Sequence, residues 1–183
     1  MFATASAAGV MLSRILAFGF ISALYRTATI RPNLIGTFTA GFLVLGALSL
    51  PLLAAASYAV YLLFFADAVP LKVFAAIVFA EALLWRPVEV ALIVNNGLGK
   101  FGRAAFLTSL ATALRAVAAV LFTLASEHSI WVWSWFYIGA NLASLLIAYG
   151  VFYPRQRLRL RMELYLRRIA DSLYVAGAEV LFY

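Results

Sequence analysis

Residues 81–96 read EALLWRPVEVALIVNN. Glu81, Arg86 and Glu89 interrupt a run of Ala, Leu, Val, Ile and Trp, Pro87 disturbs its helical bonding, and Asn95 and Asn96 close it. On a soluble domain such charges would simply face water. The composition of the whole chain rules against that reading: of 183 residues, 66% are hydrophobic, 15% aromatic and 11% charged, where soluble domains carry about 25% charged residues. With a mean hydropathy of +1.01, the expected class is an all-α, polytopic transmembrane helical bundle, and the charges of residues 81–96 belong inside it. The apolar runs are continuous and do not alternate every second residue, which argues against the strands of a membrane barrel.

Working outward from this stretch, five apolar spans can be marked, each near or above the roughly 20 residues that cross a bilayer as a helix. They are residues 2–25, 35–65, 71–94, 104–125 and 130–153, followed by a basic segment, 154–168, and a short apolar run, 169–183. The last run reads as an amphipathic or truncated sixth helix, and residues 1–183 form one membrane domain. The second span is long, and Pro51 predicts a kink or tilt within it.

The connections between spans predict an orientation. Arg26 and Arg31 lie in the first, Asp67 and Lys72 in the second, Lys100 and Arg103 in the third, Glu127 and His128 in the fourth. The fifth carries Arg155, Arg157, Arg159, Arg161, Arg167 and Arg168 against Glu163 and Asp171. Basic and non-basic connections alternate, so the first, third and fifth are expected on the cytoplasmic side. The net charge of +7 is then largely topological, and nucleic acid is not an expected partner. The basic segment instead suits anionic lipid. This orientation places the N-terminus outside with no basic signal region ahead of it, so an internal fragment of a larger protein is expected.

The residues that could carry chemistry lie within the spans. On a straight helix Glu81, Asn96, Glu89 and Arg86 fall at about 0°, 60°, 80° and 140°, one polar face. Arg86 and Glu89 are spaced to pair. Arg14 sits midway along the first span, and Arg115 midway along the fourth with Thr108 and Thr112 on its face; the fifth offers Asn141 with Ser134, Tyr137 and Ser144 at helical spacing. An ionisable group at depth costs at least about 2.5 kcal/mol on insertion scales, so such groups are seldom idle. Three arginines against two glutamates predict either a hydrated cavity suited to an anionic, phosphate-bearing substrate or a structural lock between helices. Trp131, Trp133 and Trp135 with Tyr137 read as an interfacial aromatic belt.

Other motifs carry less. GLGKFGR, residues 97–103, lacks the spacing and the Ser or Thr of a phosphate loop and reads as a basic turn. With no cysteine and His128 as the single histidine, neither a metal site nor a cofactor is expected. The connections are short and poor in acidic residues, so an enzyme acting on sugar phosphates is not expected either.

Three stretches carry a resemblance to a known family: FGFISALYRTATIRPNLIGTFTAGFLVLGALSL (18–50), NNGLGKFGRAAFLTSLATALRAVAAVLF (95–122) and LRRIADSLYVAGAEVLFY (166–183). Their order resembles the N-terminal half of bacterial polysaccharide flippases, the O-antigen and exopolysaccharide branch of the multidrug/oligosaccharidyl-lipid/polysaccharide exporter superfamily. The resemblance implies that the five spans correspond to helices two to six of a six-helix bundle in the cell inner membrane. It implies movement of a lipid-linked oligosaccharide between leaflets by alternating access, without enzymatic chemistry. Arg14, Arg86 and Arg115 are then candidates to meet pyrophosphate and sugars, with Asn141 beside them and Glu81 and Glu89 balancing charge or coupling an ion. Membrane lipids, the lipid-linked substrate, and a glycan polymerase or other biosynthesis protein are the implied partners. A related drug or cation exporter, a membrane-embedded glycan-biosynthesis enzyme and an assembly subunit are the alternatives.

Overall fold

The computed structural model describes residues 2–165, so the apolar run 169–183 and the residues just before it lie outside it. The described chain is helical, with no strand among those residues. Among the described residues the α-helices follow in the order α1 (Phe2–Ser13), α2 (Ile21–Ile30), α3 (Ile35–Phe64), α4 (Leu71–Phe79), α5 (Arg86–Gly97), α6 (Phe101–Thr123) and α7 (Ile130–Ile147). A π-helical turn, Ala80–Trp85, joins α4 to α5, and another, Ala148–Phe152, extends α7.

Three helical stretches have the length and apolarity to cross a membrane: Pro32–Phe64, Phe101–Thr123 and Ile130–Phe152. The bent pair formed by α1 and the stretch Leu16–Ile30 brings the number to four if it acts as one span. Large apolar side chains point outward along α3 and α6, including Leu48, Leu52, Leu63, Phe106 and Val120. Such faces suit lipid and would be a liability in water.

The rod formed by α4, the π turn and α5 is about 40 Å long at 1.5 Å per residue. It packs against α1, α2, α6 and α7, and α4 also touches α3. Its middle is buried almost all round, through Val73, Phe74, Ile77, Ala82, Val88, Val90 and Val94. A helix surrounded by other helices is the place where charges escape lipid. The π turn has a local cause. Pro87 has no amide to donate, and in a regular helix its ring would strike the carbonyl one turn back. The preceding turn widens, and the Arg86 amide bonds to the Glu81 carbonyl. A wide turn takes up nearly one residue more, so the single 140° arc expected for Glu81 through Arg86 does not carry across it. The two residues meet different neighbours. By contrast α3 runs unbroken through Pro51.

The first span departs from expectation as well. Residues 2–25 do not form one helix: α1 ends at Ser13, and the chain turns by 61° before α2. Ala17 and Phe18 adopt left-handed backbone angles, φ 54° and 50°. Nothing in LSRILAFGF announces this except Gly19. The break is held from outside, because the Ala17 amide donates to Ser49 Oγ on α3 at 2.9 Å. Phe20 then stacks on Phe38 of α3 with ring centroids 5.6 Å apart.

Candidate functional site

Two polar clusters form along the rod. The first centres on Glu81, 2% exposed. Small residues on α1 make room for it: at Gly9 an added Cβ would lie 3.1 Å from Glu81 Cγ. One turn away, Ser6 Oγ donates to Glu81 Oε1 at 2.8 Å. From α7, the Tyr137 hydroxyl donates to the same oxygen through a short hydrogen bond. Among the described residues both of these partners are neutral hydroxyls. They bond Oε1 of the carboxyl group without a counter-charge in contact.

The counter-charge stands one ring away. The Arg115 guanidinium carbon lies 4.1 Å from the centre of the Trp85 ring and 5.4 Å from that of Tyr137. Aromatic faces attract a desolvated guanidinium by about 0.5–2 kcal/mol each. Its Nη2 and Nε donate to Asn141 Oδ1 at 2.7 and 3.3 Å. The amide is turned for this task, because Asn141 Nδ2 donates to the Tyr137 carbonyl at 2.9 Å. Helical spacing does the rest, with Tyr137 and Asn141 on one face of α7. Ser6, Glu81, Trp85, Arg115, Tyr137 and Asn141 therefore join α1, the rod, α6 and α7. Arg115 itself is only half-buried, next to exposed Thr108 and Thr112 on α6.

The second cluster lies on α5. Arg86 is 2% exposed, and its Nη1 pairs with Glu89 Oε2 at 2.5 Å. Tyr149 Oη donates to the Pro87 carbonyl at 3.2 Å. Asn95, fully buried, donates to the carbonyls of Ala91 at 2.8 Å and Phe152 at 3.2 Å. These contacts tie α5 to the second π turn.

Of the six residues singled out by sequence, the structure gathers Glu81, Arg115 and Asn141 in one cluster and Arg86 with Glu89 in another. Arg14 is elsewhere, half-buried at the break that follows α1. Thr108 and Thr112 bond their own helix, accepted by the carbonyls of Ala104 and Thr108. Tyr137 departs from the belt reading: it is 6% exposed and turned inward, whereas Trp135 is 56% exposed. Ser6 and Trp85 were missed, and no spacing points to either; the sequence marks Asn95 as closing the polar stretch and Tyr137 as sharing the helical face of Asn141, but not as partners of Phe152 and Glu81. Comparison with family profiles, curated proteins and solved structures gives no match to this chain.

Proposed function

We propose that the chain is part of an inner-membrane transporter that moves a lipid-linked oligosaccharide, with residues 1–183 contributing five spans of its first bundle. The rod is the third span, its three charges tolerated because neighbouring helices cover it. Its basic connections face the cytoplasm. The observation that carries this reading is the half-exposed Arg115, held from behind by Trp85, Tyr137 and Asn141 beside outward-facing threonines. A guanidinium fixed by aromatic faces and one amide keeps donors for a phosphate or sugar hydroxyl. Glu81, sealed between Ser6 and Tyr137, acts as the lock that positions α1 and α7 around it. Transport then proceeds by movement of this bundle against a second one, around a site at mid-membrane.

The test is Arg115→Ala in the protein expressed in its own host. Surface polysaccharide should fall while membrane abundance holds. Loss of abundance with no separate loss of export would reduce Arg115 to a packing role. Cysteine labelling should reach residues near Ser126 from outside and residues near Gly99 from inside, and the reverse pattern would overturn the orientation. One observation favours a second reading, the cation-coupled drug exporter: a buried carboxyl group with hydroxyl partners can bind and release a small cation or proton during the cycle. Under that reading Glu81→Gln abolishes coupled transport of a cationic drug and leaves polysaccharide unchanged.

A further inference from the structure

The basic segment after α7 is a built structure. From residue 154 to 161 the chain runs without helix or strand across the start of α3. Gln156 fastens one end: its Oε1 accepts from the Gly36 amide at 2.9 Å, and its Nε2 donates to the Pro32 carbonyl at 3.0 Å. The approach is so close that a Cβ on Gly36 would lie 2.4 Å from the Arg157 carbonyl oxygen. Tyr165, fully buried, fastens the other end. Its hydroxyl accepts from the Arg161 amide at 3.1 Å and lies 2.8 Å from the Thr37 carbonyl and 3.0 Å from that of Arg159.

Between these fastenings lies a cavity of about 310 Å³, lined by Arg157, Arg159 and Arg161 with Asn33, Thr37 and Gln156. No carboxylate lines it, and among the described residues none pairs with these three arginines. At alternate positions of an irregular stretch, three arginines line one hollow. Leu158 and Leu160 alternate with them and are 57% and 69% exposed. Apolar side chains beside cationic ones, one residue apart, suit a membrane surface better than open water.

We propose that this cavity binds the phosphate headgroup of an anionic membrane lipid. Guanidiniums meet phosphate oxygens through paired, charge-assisted hydrogen bonds, and Asn33 and Thr37 add neutral donors. Leu158 and Leu160 rest in the interface beside the bound lipid's chains. The site is distinct from the clusters on the rod, and binding follows whether or not the bundle transports anything.

The experiment uses the full chain in phosphatidylcholine nanodiscs with and without phosphatidic acid, and reads lipid binding by native mass spectrometry. Each of Arg157→Gln, Arg159→Gln and Arg161→Gln should weaken phosphatidic acid binding about fivefold, the equivalent of about 1 kcal/mol per basic residue near a membrane. Arg155→Gln, in the same segment but outside the lining, is the charge control and should change it little. Gly36→Ala keeps every charge but dislodges the segment, and should weaken binding as much as losing an arginine. Gln156→Ala removes one fastening without adding volume and should do the same to a smaller degree. Equal losses at Arg155 and at the lining arginines, or unchanged binding in Gly36→Ala, would mean diffuse surface charge and overturn the proposal. Displacement of the lipid by millimolar inorganic phosphate would assign the cavity to a soluble phosphate and overturn its lipid part.

Discussion

The Arg115 cluster and the arginine segment 154–161 use the same side chain under opposite constraints. In the bundle, Arg115 is approached by two aromatic rings and an amide, with a carboxyl group beyond Tyr137. On the segment, what is held is the backbone, through Gln156 and Tyr165, while Arg157, Arg159 and Arg161 line a cavity. The difference follows from the surrounding medium. At depth an unmatched charge costs several kcal/mol, so the protein supplies its partners. At the end of the bundle, under the proposed lipid site, water and headgroups supply them, and the protein only has to fix geometry.

The buried carboxyl group of Glu81 should show the largest effect on stability. Glu81→Ala removes the acceptor of two hydroxyls and leaves a void between α1, the rod and α7. We expect a loss of about 2–3 kcal/mol, measured by unfolding in mixed detergent micelles. Tyr137→Phe, which removes one of the two donors, should lose about 1 kcal/mol. If Glu81→Ala is as stable as the parent chain, the cluster is not a lock and the comparison fails at its deeper end.

Arg115→Lys sharpens the same contrast. Lysine keeps the charge and loses the planar fork and the ring contact, so stability should change by less than about 1 kcal/mol because the residue is half-exposed. Under the proposed transport function, export should fall about tenfold, as expected from about 1.4 kcal/mol of lost substrate contact. Equal behaviour of lysine and arginine would show that charge alone is used there, as on a surface. At the other end of the bundle, Gly36→Ala should cost about 1–2 kcal/mol, since the Arg157 carbonyl cannot yield without the whole segment moving. Its effect on Glu81 and Arg115 should be nil, a separation that export measurements check.

How far the sequence reveals these two regions depends on whether their partners are local. Arg86 with Glu89 could be read from spacing, and the polar character of residues 81–96 marked the rod, because both lie on one helix. The partners of Glu81 could not, since Ser6 and Tyr137 are 75 and 56 residues away in sequence. Tyr137 was legible as a neighbour of Asn141 on one helical face, while the three tryptophans beside it pointed to the belt reading instead. The arginine segment read as topological charge and general contact with anionic lipid, with no hint of a shaped cavity; Gln156, the one neutral polar residue among its arginines, is the signal that something there is fastened. The π turn was half-legible, because Pro87 demands an adjustment but does not say that the preceding turn will widen.

The smallest expected effect concerns the break after α1, where sequence was least informative. Ala17 and Phe18 hold φ of 54° and 50°, which costs a residue with a Cβ about 1–2 kcal/mol relative to glycine. A break imposed by tertiary contact, here the Ala17 amide on Ser49 and Phe20 against Phe38, should therefore welcome glycine at position 17. Glycine also loses more freedom on folding, by roughly 0.5–1 kcal/mol. Ala17→Gly should then raise stability by about 0.5–1 kcal/mol, and Ser49→Ala, which leaves the buried amide unsatisfied, should lower it by about 1 kcal/mol. Both are read in the same detergent unfolding. If Ala17→Gly instead destabilises while Ser49→Ala is silent, residues 14–20 prefer to continue as helix. The break would then owe nothing to α3.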